Sequence, residues 1–346
     1  MFTLLNRFIR NNGCKVPNTR LYHWQIDHLE NENERSFIET MFKEDFKLTA
    51  EVQHDLARTM LFSETFDFFM TKRFGQVKRY GLEGAEGMMV AMNSFLNDDD
   101  ASSTAVIGMP HRGRLNVLTG LLKYPSEAMF AKILGGKELP ERIPGSGDVL
   151  SHLWTDTMIK DKRVILLPNP SHLEAVNPVT LGVARHFINI QNGVLPIQVH
   201  GDAAFSGQGI VQETLLLSGL PGFKVGGSVH IIVNNQLGFT TPSQLGRCSK
   251  HASDPMKMID SPVVHVSGDD PEGILRASRE CLMYRRQFKK DVLINIDCYR
   301  RHGHNELDEP SFTQPVMYRK IRSRDLPGTL YAKKIGLVPN DHLCKC

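Results

Sequence analysis

The sequence predicts an α/β fold in which a mainly parallel sheet is flanked by helices. Two observations support this fold class. From about residue 105, short aliphatic or β-branched runs recur, and each ends in polar residues with glycine or proline; they span 164–170, 195–202, 229–236, 263–270 and 292–300. Stretches with helical periodicity separate these runs. Such alternation of strands and helices is typical of parallel sheets whose faces are covered by helices.

The first 75 residues are predicted to form a helical N-terminal segment, residues 76–335 the main domain, and residues 336–346 a short tail. Between residues 28 and 75, apolar side chains recur three to four positions apart, as in amphipathic helices; they include Phe37, Met41, Phe42, Phe46, Leu56, Met60, Leu61 and Phe62. The first 20 residues contain four cations and no acid. That composition is typical of a mitochondrial transit peptide, and equally of a basic helix that begins a chain.

The clearest predicted helix spans residues 272–290. Asp269 or Asp270 precedes it as a candidate N-cap, Pro271 suits its first turn, and the cations at its end suit the helix dipole. This helix separates the last two predicted strands, as the alternation requires.

The composition excludes several classes of protein. Lys and Arg number 41 against 38 Asp and Glu, for a net charge of +3, so the sequence offers no basic surface for nucleic acid. The six cysteines form no CxxC pair, which favours reduced thiols and argues against a structural zinc site. No apolar run approaches the roughly 20 residues of a membrane span.

Polar clusters follow the predicted strands, where ligands of open parallel sheets bind. The clusters are PNPSH (168–172), HGDAAF (200–205), NNQLGF (234–239), SGDD (267–270) and YRRHGHNE (299–306). Because the carboxyl ends of parallel strands share one edge of the sheet, we expect these clusters to form a single site.

A cation site is predicted from Asp202, Asn235 and the main-chain carbonyl of Leu237. These are hard oxygen donors, which suit Mg²⁺ or Ca²⁺ together with the phosphates of a ligand. The alternative is that Asp202 only caps a helix. Glycines at 201, 207 and 209 allow close approach of the backbone to an anion, and a helix starting near Ile210 would direct its amides at it.

Cationic residues in the segment GMPHRGRLN strengthen the predicted anion site: His111, Arg112 and Arg114. Two other readings of the polar clusters are set aside. The histidines at 302 and 304 are two apart after a strand, unlike a helical zinc pair, and Asp308 and Glu309 are expected to fix a loop. Ser171 adjoins His172, but neighbouring side chains in an extended turn generally point apart, which argues against a hydrolase dyad.

These motifs resemble one known family. A Gly-Asp followed about thirty residues later by Asn-Asn is similar to the thiamine diphosphate motif. Residues 60–335 resemble the decarboxylating first component of the 2-oxoglutarate and 2-oxoadipate dehydrogenase complexes. The resemblance rests on six segments in order: GMPHRGRLNVL, GSGDVLSHL, NPSHLEAVNPV, HGDAAFSGQGIVQET, VNNQLGFTT and CYRRHGHNELDEPSFTQPVMY.

The resemblance implies a thiamine-diphosphate-binding, transketolase-like fold, of which this chain would be the diphosphate-binding half. It implies roles for seven positions: Asp202, Asn235 and the carbonyl of Leu237 as Mg²⁺ ligands that also hold the cofactor, Arg112 and His304 as diphosphate or cofactor contacts, and His111 and His152 as catalytic histidines facing a 2-oxo acid.

The implied activity is oxidative decarboxylation of 2-oxoadipate or 2-oxoglutarate, with acyl transfer to lipoyl groups on a dihydrolipoyl acyltransferase. The resemblance also implies a homodimer in the complete protein and the mitochondrial matrix as its location. In this family a pyrimidine-binding half follows, whereas this sequence stops at Cys346. We therefore expect a truncated chain that turns over little alone; the alternative is a non-catalytic cofactor-half fragment that binds partner subunits.

Residues around the motifs favour the 2-oxoadipate form. Tyr80, LTGLL (118–122) and TTPSQLGR (240–247) resemble that form, whereas Leu82 resembles the 2-oxoglutarate form. Tyr80 is the candidate substrate residue, because its hydroxyl could meet the distal carboxylate of a diacid. The alternative is that Tyr80 is a core aromatic.

Overall fold

Eight strands form the main sheet of the computed structural model, which describes residues 22–97, 102–136, 142–145, 147–190 and 193–337. All five predicted strands are present: β4 (Lys162–Leu166), β5 (Val194–Gly201), β6 (Val229–Asn234), β9 (Val263–Ser267) and β10 (Val292–Asp297). Three further strands complete the sheet: β1 (Tyr22–Gln25), β2 (Thr104–Gly108) and β3 (Thr155–Ile159). Two short strands, β7 (Leu237–Gly238) and β8 (Thr241–Pro242), form a separate antiparallel pair. The proposed transit peptide at 1–20 lies outside the described residues.

The order of strands in the sheet is β1-β9-β10-β6-β5-β2-β4-β3. The six inner strands are mutually parallel, and the edge strands β1 and β3 are antiparallel to their neighbours. The prediction of a mainly parallel sheet is therefore confirmed. Strands β4 and β5 follow one another along the chain but lie on opposite sides of β2. Such a reversal opens a crevice at the carboxyl ends of the strands, where ligands bind.

The helices surround this sheet. They are α1 (Glu32–Lys43), α2 (Ala50–Arg73), α3 (Gly87–Asn97), α4 (Arg114–Gly120), α5 (Ser126–Ile133), α6 (Val176–Ile190), α7 (Asp202–Gly207), α8 (Gly209–Leu217), α9 (Ser243–Gly246), α10 (Pro271–Phe288), α11 (Pro315–Arg322) and α12 (Pro327–Lys334). Short 3₁₀ turns occupy Leu150–His152, Asp254–Ile259 and Pro310–Phe312. Among the described residues, no helix has the length and apolar composition needed to cross a bilayer.

Helix α10 begins and ends as its sequence predicts. Asp270 is the N-cap, and its carboxylate accepts a hydrogen bond from the Gly273 amide at 3.2 Å. Pro271 occupies the first turn, and Arg285 and Arg286 lie in the last turn. The predicted helix is confirmed, with an end at Phe288.

The N-terminal segment was predicted to be helical, and this is wrong for its first described residues. Tyr22–Gln25 form β1, which pairs with β9 at the sheet edge. Four residues are too few to give a periodic pattern in the sequence. In the structure, two side chains of the strand attach it to helix α10, since Tyr22 Oη and Trp24 Nε1 donate to the Glu280 carboxylate at 3.4 and 2.9 Å. Helices α1 and α2 follow as expected.

One buried cluster joins the N-terminal helices to the sheet. It includes Ile38 of α1, Met60 of α2, Val264 of β9 and Ile294 of β10. The boundary predicted near residue 76 remains a prediction, since the two parts share this core. The strands below the carboxyl edge are largely buried, which supports precise positioning of a site at that edge.

Candidate functional site

The predicted polar clusters lie at one edge of the sheet. PNPSH follows β4, HGDAAF follows β5, NNQLGF follows β6, SGDD follows β9 and YRRHGHNE follows β10, and all five strands run in the same direction. Strand β2 adds the segment that contains His111. The structure thus brings the candidate residues to a common edge, as expected from the strand pattern.

Three rings form the first part of the site. The centroid of the Tyr80 ring lies 4.2 Å from that of His111 and 5.7 Å from that of His304, and the two imidazoles are 5.5 Å apart. Phe239 contacts His304 from the turn after β6, at 5.0 Å. Tyr80 has a φ of +51°, a left-handed conformation that a tyrosine rarely adopts. Its ring is therefore held in the site at some cost to its backbone.

Arg112 joins the loops that carry two of these rings. Its Nη1 donates to the Gly81 carbonyl at 3.0 Å and its Nη2 to the His304 carbonyl at 2.8 Å. The Gly81 amide in turn donates to Glu306 Oε1 at 2.7 Å. The loop that carries Tyr80 is therefore fixed to the loop that carries His304, while the predicted contact of Arg112 with a diphosphate stays a prediction.

Arg114 does not face an anion, and its predicted contribution to an anion site is wrong. The side chain is 0% exposed and donates to three main-chain carbonyls: Leu153 at 2.8 Å, Leu167 at 2.9 Å, and Met109. Burial lowers the pKa of Arg114 to about 9, so the guanidinium stays charged at neutral pH. The buried guanidinium of Arg114 therefore joins three segments by hydrogen bonds: the one after β2, the one after β4 and the one after His152.

His152 lies between an acid and a hydroxyl. Its Nδ1 is 3.0 Å from both carboxylate oxygens of Asp148, and its Nε2 is 3.1 Å from Ser171 Oγ. Sequence reasoning missed the pairing of Ser171 with His152, because the two residues are 19 positions apart and only His172 adjoins Ser171 along the chain. A positive charge on His152 would lower the pKa of His111, so the two predicted catalytic histidines are electrostatic neighbours.

Asp202 stands at the carboxyl end of β5 and is 2% exposed. Gly201 is the N-cap of α7 and Asp202 is the first helical residue, so the capping alternative does not account for its carboxylate. Burial raises the pKa of Asp202, and Arg247 opposes that shift through Nη1, 3.4 Å from Oδ2. A buried acid with this single long cation contact is suited to receive another cation.

The turn after β6 brings the other predicted cation ligands to α7. Asn234 donates to Asp297 Oδ1 at 2.9 Å, whereas Asn235 Oδ1 accepts from the Leu237 amide at 3.1 Å. A Cβ on Gly238 would lie 2.7 Å from the Cβ of Ala203, so only glycine lets this turn rest on the start of α7. Asp202 and the backbone near Leu237 are thereby held side by side.

A cavity of about 350 Å³ adjoins Asp202. Its lining includes the hydroxyl residues Ser206, Thr241 and Ser243, together with Arg247. Within the described ranges no group of three or more His, Cys, Asp or Glu side chains is placed to hold a metal. The proposed donors are the Asp202 carboxylate, the Asn235 amide oxygen and the Leu237 carbonyl. Only one of these three groups is charged, and such a set fits Mg²⁺ when a phosphate ligand completes the coordination.

The glycines at 201, 207 and 209 border open space, since a Cβ at each would meet nothing within 4 Å. The helix expected near Ile210 is α8, which begins at Gly209. The short helix α7 before it was not expected, because small residues and glycines carry little helical signal.

The segment HGHNE does not form a metal site. His302 Nε2 lies 3.4 Å from Glu83 Oε1, and His304 belongs to the ring cluster. Asp308 accepts from the Asn305 amide at 3.2 Å, and Glu309 caps the 3₁₀ turn by accepting from the Ser311 amide at 2.8 Å. The prediction that these two acids fix a loop is confirmed.

Both histidines of the ring cluster are neutral at physiological pH. Burial and the charge of Arg112 lower the pKa of His111 to about 3 and that of His304 to about 4. They therefore act as neutral hydrogen-bonding groups rather than as cations.

This neutrality predicts a pH dependence of stability. Below pH 6.5, the ordinary pKa of histidine, the unfolded chain binds a proton at His111 that the folded chain rejects until about pH 3. The free energy of unfolding should therefore fall as the pH is lowered through this window, and His111→Asn should reduce the slope. Urea titrations between pH 4 and pH 7 measure the slope of the free energy of unfolding against pH. His54→Asn, on the exposed face of α2, is the control, and an equal slope in wild type and His111→Asn would contradict the assignment.

Comparison with known proteins agrees with the motifs. The sequence profile of the dehydrogenase E1 component family matches residues 55–338. The chain is 46% identical over 334 residues to the 2-oxoadipate dehydrogenase complex component E1 of Homo sapiens and 48% identical over 335 residues to that of Danio rerio. It is 41% identical over 330 residues to the oxoglutarate dehydrogenase of Buchnera aphidicola. These alignments cover 90–91% of this chain, which spans 36% of the length of each relative.

Proposed function

The chain belongs to the dehydrogenase E1 component family, and we propose that it forms the thiamine-diphosphate-binding part of the decarboxylating first component of a 2-oxo acid dehydrogenase complex. The observation that carries the proposal is the buried Asp202 carboxylate at the end of β5, beside the Asn235–Leu237 turn and the cavity with Arg247. Membership of the E1 family and the oxygen donors at this edge both support the same ligand, a diphosphate bound through a divalent cation.

The oxygen donors assign the binding roles. Asp202, Asn235 and the carbonyl of Leu237 would hold Mg²⁺, with Asp202 as the only charged ligand among them. Arg112 and His304 are proposed to border the cofactor, and Arg112 would act mainly through its charge, because both its Nη groups donate to carbonyls. When bound, thiamine diphosphate supplies a carbon nucleophile and an electron sink for the loss of CO₂.

The histidines are proposed to serve the 2-oxo acid. Neutral His111 can donate one hydrogen bond to a developing oxyanion without the desolvation cost of a buried cation. His152 has its Nδ1 engaged with Asp148, which leaves Nε2 as the nitrogen that accepts or returns a proton. Arg114 keeps both histidines in place through the carbonyls of Met109 and Leu153.

We propose 2-oxoadipate as the preferred substrate, because the relatives that carry this name are 46–48% identical to the chain. The acyl product would pass to the lipoyl group of a dihydrolipoyl acyltransferase. The homodimeric state and the mitochondrial matrix location are proposed on the same family grounds.

A direct assay tests the activity. The native protein that contains this chain should reduce ferricyanide with 2-oxoadipate only when thiamine diphosphate and Mg²⁺ are both present. 2-Oxoglutarate should give a lower kcat/KM, and pyruvate should give none above background. Turnover that is unaffected by removing thiamine diphosphate would contradict the proposal and indicate a different reaction class.

Tyr80 is proposed to recognise the distal carboxylate of the substrate. The 4.2 Å distance between the centroids of the Tyr80 and His111 rings supports this role over that of a core aromatic. Tyr80→Phe removes only the hydroxyl, and we expect the ratio of kcat/KM for 2-oxoadipate over 2-oxoglutarate to fall by about tenfold, within the 1–3 kcal/mol that such contacts supply. The native protein with and without the substitution is compared on both acids. An unchanged ratio would refute this role while leaving the decarboxylase proposal intact.

A further inference from the structure

Three side chains from two loops form a hydrogen-bonded series, of which the proposed decarboxylation uses only His152 and its contact with Asp148. Asp148 contacts His152 Nδ1 at 3.0 Å, and His152 Nε2 contacts Ser171 Oγ at 3.1 Å. Asp148 precedes the 3₁₀ turn Leu150–His152 and His152 is its last residue, while Ser171 follows β4. An acid on Nδ1 and a serine on Nε2 of the same imidazole is the arrangement that activates nucleophilic serines.

The tautomer of His152 follows from its partners. An ionised carboxylate can only accept hydrogen bonds, so Nδ1 carries the proton and donates to Asp148. Nε2 is then an acceptor and receives the Ser171 hydroxyl. Burial acts to raise the pKa of Asp148, but the Val149 amide and His152 outweigh it, so the pKa is lowered and the carboxylate is ionised at neutral pH. The series is therefore set to withdraw a proton from Ser171 Oγ.

Hydrogen bonds support the loop that carries His152 and the loop that carries Ser171. Arg114 donates to the Leu153 carbonyl, one residue after His152, and to the Leu167 carbonyl, four residues before Ser171. The His152 amide also donates to the Val149 carbonyl at 3.0 Å. A single buried guanidinium thus joins the backbone next to the base to the backbone that leads to the hydroxyl.

Access differs along the series. The His152 side chain is 11% exposed and Ser171 is exposed, so an electrophile can reach the hydroxyl while the base is shielded from water. The Asp148 side chain is 68% exposed, so solvent weakens its effect on His152. We expect a slow nucleophile rather than an efficient hydrolase.

We propose that Asp148, His152 and Ser171 form a serine nucleophile site for small activated acyl esters. Ser171 Oγ would attack the acyl carbon as its proton moves to His152 Nε2, and the leaving alkoxide would depart with that proton. Water would then attack the acyl-serine ester with His152 as base, which releases a carboxylic acid and restores Ser171. The proposal rests on these contacts alone and needs neither thiamine diphosphate nor the proposed decarboxylase activity.

Covalent labelling tests the site directly. The purified chain is treated with a fluorophosphonate in the absence of thiamine diphosphate, and the modified serines are quantified by peptide mass spectrometry. Ser171 should react at least about tenfold faster than Ser103, an exposed serine whose hydroxyl donates to the Gly193 carbonyl at 3.3 Å. p-Nitrophenyl acetate should be hydrolysed slowly, with formation of acetyl-Ser171.

Substitutions separate the members of the series. His152→Gln should lower labelling of Ser171 by about 100-fold, as expected for loss of a general base, and Asp148→Asn by about tenfold because that acid is exposed. His172→Asn is the matched control and should change nothing, since Ser171 pairs with His152 rather than with its neighbour His172. Circular dichroism confirms that each variant is folded.

Two results would overturn the proposal. One is labelling of Ser171 at the rate of Ser103, and the other is labelling of Ser171 that survives in folded His152→Gln. Because no thiamine diphosphate is present, either failure would leave the proposed function untouched, and failure of the decarboxylase assay would leave this site untouched.

Discussion

Asp202→Ala should lower the affinity of the chain for Mg²⁺-thiamine diphosphate by at least about 100-fold, above the range seen when residues that only support a ligand are changed. The reason is that Asp202 supplies the only carboxylate of the proposed set, and the neutral Asn235 and main-chain carbonyl of Leu237 cannot replace its charge. Isothermal titration calorimetry on wild type and variant measures the loss.

The matched control is Asp55→Ala. Asp55 is exposed on α2 and pairs with Arg58 at 2.8 Å, so its removal should leave the affinity unchanged. Asp202→Ala should also remain folded, because burial of this carboxylate is unfavourable and its removal relieves that cost. Unchanged affinity in folded Asp202→Ala would rule out the proposed cation site.

Arg114→Met should lower the free energy of unfolding by about 3 kcal/mol. The substitution leaves three carbonyls without their donor, and each unsatisfied buried acceptor costs about 1–3 kcal/mol, partly offset by removal of a buried charge. Urea denaturation followed by circular dichroism gives the value. Arg114→Lys should lose less stability than Arg114→Met, because the charge stays but an ammonium cannot reproduce the planar fork.

Arg58→Met provides the comparison on the surface. The Arg58 side chain is 79% exposed in its ion pair with Asp55, so its loss should cost less than about 0.5 kcal/mol. Equal midpoints for Arg114→Met and Arg58→Met would show that the three carbonyl contacts of Arg114 do not stabilise the fold.

Five of the six inner strands, all except β2, could be predicted from sequence because each contains an apolar run that is buried in the sheet. Strand β5 is an example, with seven of its eight residues buried. The edge strands could not be predicted. In β3 only one of five residues is buried, and it pairs with β4 as a hairpin, so its alternating polar residues give no continuous apolar run.

The positions of the proposed cation ligands could be predicted because they lie at strand ends, which the sequence order determines. Asp202, Asn235 and Leu237 follow neighbouring parallel strands, and the register places Gly201 opposite Val233. Which cation lies beside them could not be predicted. Arg247, which contacts Asp202, is 45 residues further along the chain. Arg114 is close in sequence to His111 and Arg112, but its side chain is buried in the core.

The Asp148–His152–Ser171 series shows the same limit for polar contacts. Asp148 and His152 are four residues apart, a spacing that the 3₁₀ turn converts into contact. Ser171 is 19 residues from His152, and its approach depends on how β3 and β4 fold back as a hairpin. Long-range contacts of this kind depend on tertiary packing, which a motif within one segment does not report.

The most direct measurement of the proposed cofactor site is equilibrium dialysis of labelled thiamine diphosphate against the chain, with Mg²⁺ or with EDTA. Binding through Asp202, Asn235 and Leu237 predicts saturable uptake of one thiamine diphosphate per chain with Mg²⁺, and its loss in EDTA. Uptake that is equal in Mg²⁺ and in EDTA, or no saturable uptake at all, would contradict a cation-dependent cofactor site at this edge of the sheet.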